Sequence, residues 1–360
     1  MLSNAIKALK ANALKTTLIY FSLIFSIVSI FLISAISSGI ISMYSSMLKS
    51  DGDIIITQAK ISDTFFSNVD INLINKIDRL NGVKESSAMI VGASPVEKLP
   101  IVAVYGVTKN RLKNYKLIKN NYPKQNEALV GEAIYTNLKN KNSISIANKD
   151  FKISGVFTSD VGFENGSVVI NIDEAGKIFN KSASMIMVNS DLNANIELLI
   201  KNIKSLDTNI DAKSTDNFVD NYNQFKIIKT SSNVISLIAF AMGLLGIVSI
   251  MSITINQRKS EFGIKRALGI SMKKIIYSIM FESLILGCLS FVSAFLLSEF
   301  ALYLIKHSSH LQGYVNGEIT FSLALSIFLT SISMAVIGAI IPAFNAAQTD
   351  PVSLIQGNRI

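Results

Sequence analysis

The 360-residue chain has one cysteine, no tryptophan, five prolines and two histidines. A lone Cys288 excludes an internal disulfide, so any part of the chain outside a membrane has to be held by a packed core. With only His307 and His310 there is no H-E-x-x-H zinc motif, and no Cys/His nucleophile pair can be assembled outside a span. A phosphate-cradling G-x-x-x-x-G-K-[ST] loop is also missing, because Gly176-Lys177 lacks both the upstream glycine and the following hydroxyl residue. The chain therefore reads as non-catalytic, with no cofactor of its own, and any ATP chemistry falls to another polypeptide.

Charge is missing too, over long stretches. Thr16–Leu48, Thr230–Ile255 and Phe321–Gln348 carry no charged residue, and Ile275–Ser298 carries only Glu282. Each exceeds the ~20 apolar residues that cross a bilayer as a helix. The first run is too long for a cleaved signal core of ~7–15 residues and has no convincing A-x-A ending, so it is read as a retained span. Four spans follow, over 16–43, 229–255, 275–305 and 321–348.

What is present in excess is positive charge, a net +9, and its placement sets the topology. Lys7, Lys10 and Lys15 precede the first span, and the 256–274 connection sets Arg258, Lys259, Lys265, Arg266, Lys273 and Lys274 against the single acid Glu261. Both segments are expected in the cytoplasm, with a short 349–360 tail on the same side and a 306–320 loop opposite. Leu2, Ile6, Leu9 and Ala13 recur at helical spacing, so residues 1–15 are expected to lie as an amphipathic helix on membrane lipid. The large 44–228 segment, expected outside, has 22 basic and 20 acidic residues. That near balance, and the lack of a basic patch with interleaved aromatics, excludes nucleic acid as a partner.

Within 44–228 the pattern is α+β. Asp53–Gln58, then Asn72–Leu80, then Ser87–Ala93 read strand, helix, strand, and the order recurs at Ser184–Asn189, Asn193–Leu206 and Ile210–Lys213. Two such halves, apart in sequence, can pair into one split-βαβ sheet. The stretch between, about 100–182, reads as short strands of an inserted β-rich subdomain, with Asn165-Gly166 as a hairpin turn.

The connection NQRKSEFGIKRALGISMKK is the segment with most to say about function. At ~100° per residue, Ile264, Ala267, Leu268 and Ser271 form one apolar stripe, expected against lipid, while Phe262, Lys265, Arg266 and Gly269 share the other face with Arg258. An aromatic ring among cations, a Glu261–Lys265 pair at i, i+4, and Gly263 and Gly269 allowing close approach favour a helix that docks into a soluble partner.

Three polar features inside or beside the spans remain. Glu282 is expected to pair near the interface with Lys273, Lys274 or the first-span lysines. Serines along the first span, Ser26 and Ser29 among them, permit close helix approach and are candidates for a dimer or gating contact. His307 and His310, at i, i+3, are weak metal candidates without an adjoining acidic or thiol cluster.

The connection resembles the R-x-x-E-I-G-x-x-R-A-x-G-A motif of FtsX-like ABC permeases of the macrolide-exporter (MacB) and lipoprotein-releasing (Lol) type, at Arg258, Glu261, Gly263, Arg266, Ala267 and Gly269, with Phe262 and Ile270 departing from it. The resemblance continues through Phe281–Gly287, Pro342-Ala343, Ala346, Asp350-Pro351-Val352 and Ile355, and more weakly through Leu129–Glu132 and Phe151–Val156. It implies a permease subunit working as a dimer with a second copy or a paralogue in the bacterial inner membrane. It also implies a separate ABC ATPase that binds ATP and Mg and docks on Arg258, Glu261, Phe262, Gly263, Lys265, Arg266 and Gly269, its stroke passing to the outer domain by mechanotransmission. A periplasmic adaptor or carrier protein would be a further partner. The alternative it carries is an ATPase-driven regulator or scaffold of an extracytoplasmic cell-wall hydrolase.

Overall fold

The computed structural model describes residues 13–97, 99–120, 123–138, 141–159, 162–307 and 317–348. The chain divides into two compact units, one built on residues up to 37, 230–304 and 317 onward, the other on 38–229 and 305–316. The expected helix over 1–15 and the motif residues from Asp350 onward lie largely or wholly outside the described residues.

Among the described residues, four helices are long and apolar enough to cross a membrane: α1 (Ala13–Asp51), α7 (Asn223–Gln257), α9 (Met272–His307) and α10 (Phe321–Gln348). At 1.5 Å per residue, the 39-residue α1 is about 58 Å long, nearly twice the ~30 Å hydrocarbon layer. Helix α7 begins six residues ahead of the expected span and is likewise over-long at 35 residues. The helical unit has its own core, in which Leu23, Ile27, Phe31, Ile247, Ile279, Leu286 and Met334 are buried together. Small residues bring the helices close. A Cβ on Gly243 would stand 2.7 Å from Ser26 Oγ and 2.5 Å from Met334 Sδ, and one on Gly246 would stand 2.2 Å from Ser22 Oγ. Between α9 and α10, Ser283 Oγ donates to the Ala335 carbonyl at 2.7 Å and Ser331 Oγ to the Gly287 carbonyl at 3.1 Å. Without a hydrophobic drive between helices in lipid, such close contacts and hydrogen bonds supply the association.

The other unit is one mixed sheet. Its strands are β1 (Ile54–Gln58), β2 (Val83–Val96), β3 (Leu99–Val107), β4 (Lys116–Asn120), β5 (Glu127–Gly131), β6 (Ser143–Ile146), β7 (Lys149–Thr158), β8 (Ser167–Asn171), β9 (Met185–Ser190) and β10 (Ile210–Ser214), in the order β10-β1-β9-β2-β3-β8-β5-β7-β4, with β6 on β2 and β7. The two expected halves do pair: β1 lies antiparallel between β10 and β9, and β9 pairs β2. The β-rich stretch continues that sheet through β2 and β3 rather than forming a second one. Helices α2 (Leu73–Ile77), α3 (Glu132–Asn137), α4 (Ile172–Phe179) and α5 (Ile196–Lys204) cover one face. Side-chain alternation sends Ile54 and Ile56 to that face and Ile55 to the other, where Met43, Met47 and Leu48 of α1 and Phe218 of α6 (Thr215–Asn221) meet it.

One turn differs from expectation. Asn165-Gly166 closes a short 3-10 segment, Gly162–Gly166, and β8 leaves it to pair β3 in parallel and β5 antiparallel, so it is no hairpin. The Asn165 side chain is spent on the preceding loop, accepting from the Ser159 N–H at 2.7 Å and donating to its carbonyl at 3.1 Å. That local bonding competes with the I′ turn an Asn-Gly pair otherwise favours.

Candidate functional site

Helix α7 ends at Gln257, and Arg258 breaks the helical path with φ −95° and ψ 11° before α8 (Lys259–Ala267) begins. Alpha8 stops on a Schellman motif: Gly269 at φ +84° donates to the Arg266 carbonyl at 3.0 Å, and Ile270 N–H reaches back to Lys265 at 3.1 Å. A glycine is needed there for the left-handed turn. Within the chain nothing lies within 4 Å of where a Cβ would stand.

One face of α8 differs from the sequence expectation. Phe262 is 2% exposed and packs into the helical core with Ile255, Ile275 and Ile279, while Ile264 and Leu268 are 54% and 77% exposed. The reason is charge. Arg258 and Lys265 cover the Phe262 ring at 5.0 and 5.7 Å, so the cations that marked this face as an outward surface instead cap a buried aromatic. Gly263 is buried beside it, and Lys265 and Arg266 are half-buried.

Glu261 anchors the cations. It accepts from Arg258 Nε at 2.9 Å and from Lys265 Nζ at 2.6 Å, the expected i, i+4 pair. Partial burial raises the Glu261 carboxyl, but hydrogen bonds from Arg258 and Lys265 outweigh it and bring the pKa down to about 2, so the group stays ionised at any physiological pH. Arg258 Nη1 also donates to Glu282 Oε2 at 2.9 Å. The partner of Glu282 is thus Arg258, one of the motif residues, and not Lys273 or Lys274, which stand exposed at the start of α9.

Ser26 is buried against Gly243 within the chain, whereas Ser29 is exposed and donates to the Phe25 carbonyl at 2.8 Å. His307 is the last residue of α9, and His310 lies outside the described residues. Among the described residues no three His, Cys, Asp or Glu side chains gather to hold a metal ion.

Sequence reasoning missed a buried charge cluster in the sheet unit. Arg111, 2% exposed, donates from Nη2 to Asp51 Oδ2 at 2.8 Å and to Glu164 Oε1 at 3.0 Å, and from Nη1 to the Tyr115 hydroxyl. Asn114 supplies Asp51 Oδ1 at 2.9 Å. Asp51 is the last residue of α1, so this cluster fastens the end of the first long helix to the β3–β4 and β7–β8 connections. No spacing in the chain links positions 51, 111 and 164.

Four apolar helices, a mixed-sheet domain inserted between the first and second, and a clamped basic helix between the second and third define a multi-pass membrane protein with a large domain apart from its spans. Residues 233–351 match the FtsX-like permease C-terminal family and residues 16–206 the MacB-like periplasmic core domain. The chain belongs to the FtsX-like, MacB-type family of ABC transporter permeases.

It is 25% identical to the ABC transporter permease MJ1507 of Methanocaldococcus jannaschii over 59% of this chain and 57% of that one. It is 22% identical to the putative hemin transport system permease HrtB of Staphylococcus haemolyticus over 67% of each. To the macrolide export ATP-binding/permease protein MacB of Salmonella typhimurium it is 28% identical, over 34% of this chain and 18% of that one. The matched segment therefore spans little more than half the length of the first relative and under a fifth of MacB. Among solved structures, the periplasmic region of MacB from Actinobacillus actinomycetemcomitans overlays at a TM-score of 0.39 and 14% identity, covering 46% of this chain and 89% of that one. The extracellular domain of YknZ from Gram-positive bacteria overlays at 0.38 and 9%, covering 45% and 99%.

Proposed function

We propose that this chain is the membrane subunit of an ABC transporter whose ATPase is a separate polypeptide docking on α8 from the cytoplasm. ATP and Mg are bound by that partner. Its stroke passes along the over-long α1 and α7 to the sheet domain on the outer side, which handles an envelope substrate there, and the working unit contains two permease copies or a copy and a paralogue. Both termini are cytoplasmic and the membrane is the bacterial inner membrane, in keeping with the basic residues of the 256–274 connection.

The observation that carries this reading is the two-sidedness of α8. One side is clamped onto the chain's own spans through Phe262, and the other presents Ile264, Ala267 and Leu268 unpartnered. A short helix fixed from behind and apolar in front suits docking into a groove. Docking thus moves from the Phe262 side to the Ile264 and Leu268 side. Replacing Leu268 with Asp is expected to cut ATPase recovery at least tenfold on affinity purification of the detergent-solubilised permease, with the amount of inserted permease unchanged. Recovery equal to wild type overturns the assignment of this face.

A further inference from the structure

Helix α8 is joined to its neighbouring spans by two non-helical points, Arg258 at φ −95° and Gly269 at φ +84°. A nine-residue helix between two such breaks can rock unless side chains fix it. The Phe262 contact is apolar and non-directional. The Arg258–Glu282 contact is directional: Nη1 to Oε2 at 2.9 Å, with an Arg258 side chain 11% exposed and a Glu282 side chain 8% exposed.

We propose that Arg258 is a positioning residue, a clip that holds α8 to the third span through Glu282 so that load applied to α8 enters α9 instead of being absorbed by bending at Arg258 and Gly269. This rests on the coupling reading above. A carboxylate inside a span needs a partner, and separating this one would leave a buried charge unpaired, so α8 cannot swing away while the pair holds. Lys265 does not replace Arg258, because its ammonium is engaged with Glu261 and the Phe262 ring. The remaining guanidinium edge meets Glu261, with Nε on Oε2 at 2.9 Å and Nη2 on Oε1 at 3.4 Å. Arg258 is therefore tied at once to the first turn of α8 and to the first third of α9. Buried ion pairs are best attested in this kind of role, setting register rather than adding stability.

The test uses the full chain with Cys288→Ser and nitroxide labels at Ser260 on α8 and Tyr277 on α9, both exposed. The parent protein is expected to give one narrow distance peak. Glu282→Gln, the milder change because Arg258 keeps Glu261, is expected to at least double its width. Arg258→Gln should do so too, and the double variant should be no broader than Arg258→Gln alone, since Glu282→Gln removes only an interaction that Arg258→Gln has already lost. In unlabelled Glu282→Gln, ATPase recovery should match wild type while permease-dependent ATP hydrolysis falls about tenfold, a split that misfolding would not produce. A wild-type peak width and hydrolysis rate in Glu282→Gln, or additive broadening in the double variant, overturns the clip. If the wild-type chain recovers no ATPase, the coupling reading fails by itself, and the label distances still decide the clip.

Discussion

At the scale of single residues, the charges that matter are the buried ones. Arg111 sits between Asp51 and Glu164, all three nearly inaccessible, in a site where each charge is tolerable only because the others are there. Removing the cation alone strands two carboxylates. Arg111→Ala is therefore expected to destabilise the sheet domain by about 3–5 kcal/mol, read as a lowered unfolding midpoint of the solubilised protein, and Asp51→Asn with Glu164→Gln in the same chain should recover part of the loss. A neutral result for Arg111→Ala would mean that water reaches the cluster. Arg111 was invisible in the sequence because an arginine in an N-R-L-K-N stretch reads as solvated surface. Only the fold brings the end of α1 to it. Phe262 teaches the opposite lesson. The sequence marks it correctly as out of place among cations, but an aromatic covered by guanidinium and ammonium can face either outward or inward, and periodicity carries no sign for that choice.

At the scale of elements, the spans and the split sheet could be read in advance because their signals are one-dimensional. Uncharged runs of more than twenty residues and strand–helix–strand blocks at both ends of the 44–228 segment need no long-range information. The pairing of β3 with β8 and of β5 with β7, both parallel, could not, since parallel partners are joined through long crossovers. Helix contacts fall between these cases. Ser22 and Ser26 stand at i, i+4 and meet Gly246 and Gly243, so the small-residue stripe was legible, though its partner within the same chain was not. Gly243→Leu is expected to force α1 and α7 apart against Ser26 and Met334, costing about 1–3 kcal/mol. Thermal unfolding in detergent measures it, and an unchanged midpoint would show that the two helices do not approach as closely as these distances require.

At the scale of the whole molecule, the topology makes a claim that no internal contact can test. On the proposed topology, the sheet domain between the first and second long helices and the basic connection between the second and third lie on opposite sides of a membrane, as the placement of lysines and arginines implies. In a Cys288→Ser background, a cysteine at the fully exposed Leu192 should react with an impermeant thiol reagent in intact cells, after outer-membrane permeabilisation where there is one. A cysteine at Ser260 should react only once the inner membrane is opened. The reverse pattern would invert the assignment.

The unbroken course of α1 has a geometric corollary. One helix presents Ser22 and Ser26 to their glycines and, 25 residues after Ser26, Asp51 to Arg111. Each added residue turns everything beyond it by about 100° and advances it by about 1.5 Å. A residue inserted between those contacts would therefore leave each set intact and turn one against the other. In this chain the number of residues from Ser26 to Asp51 is itself a phase.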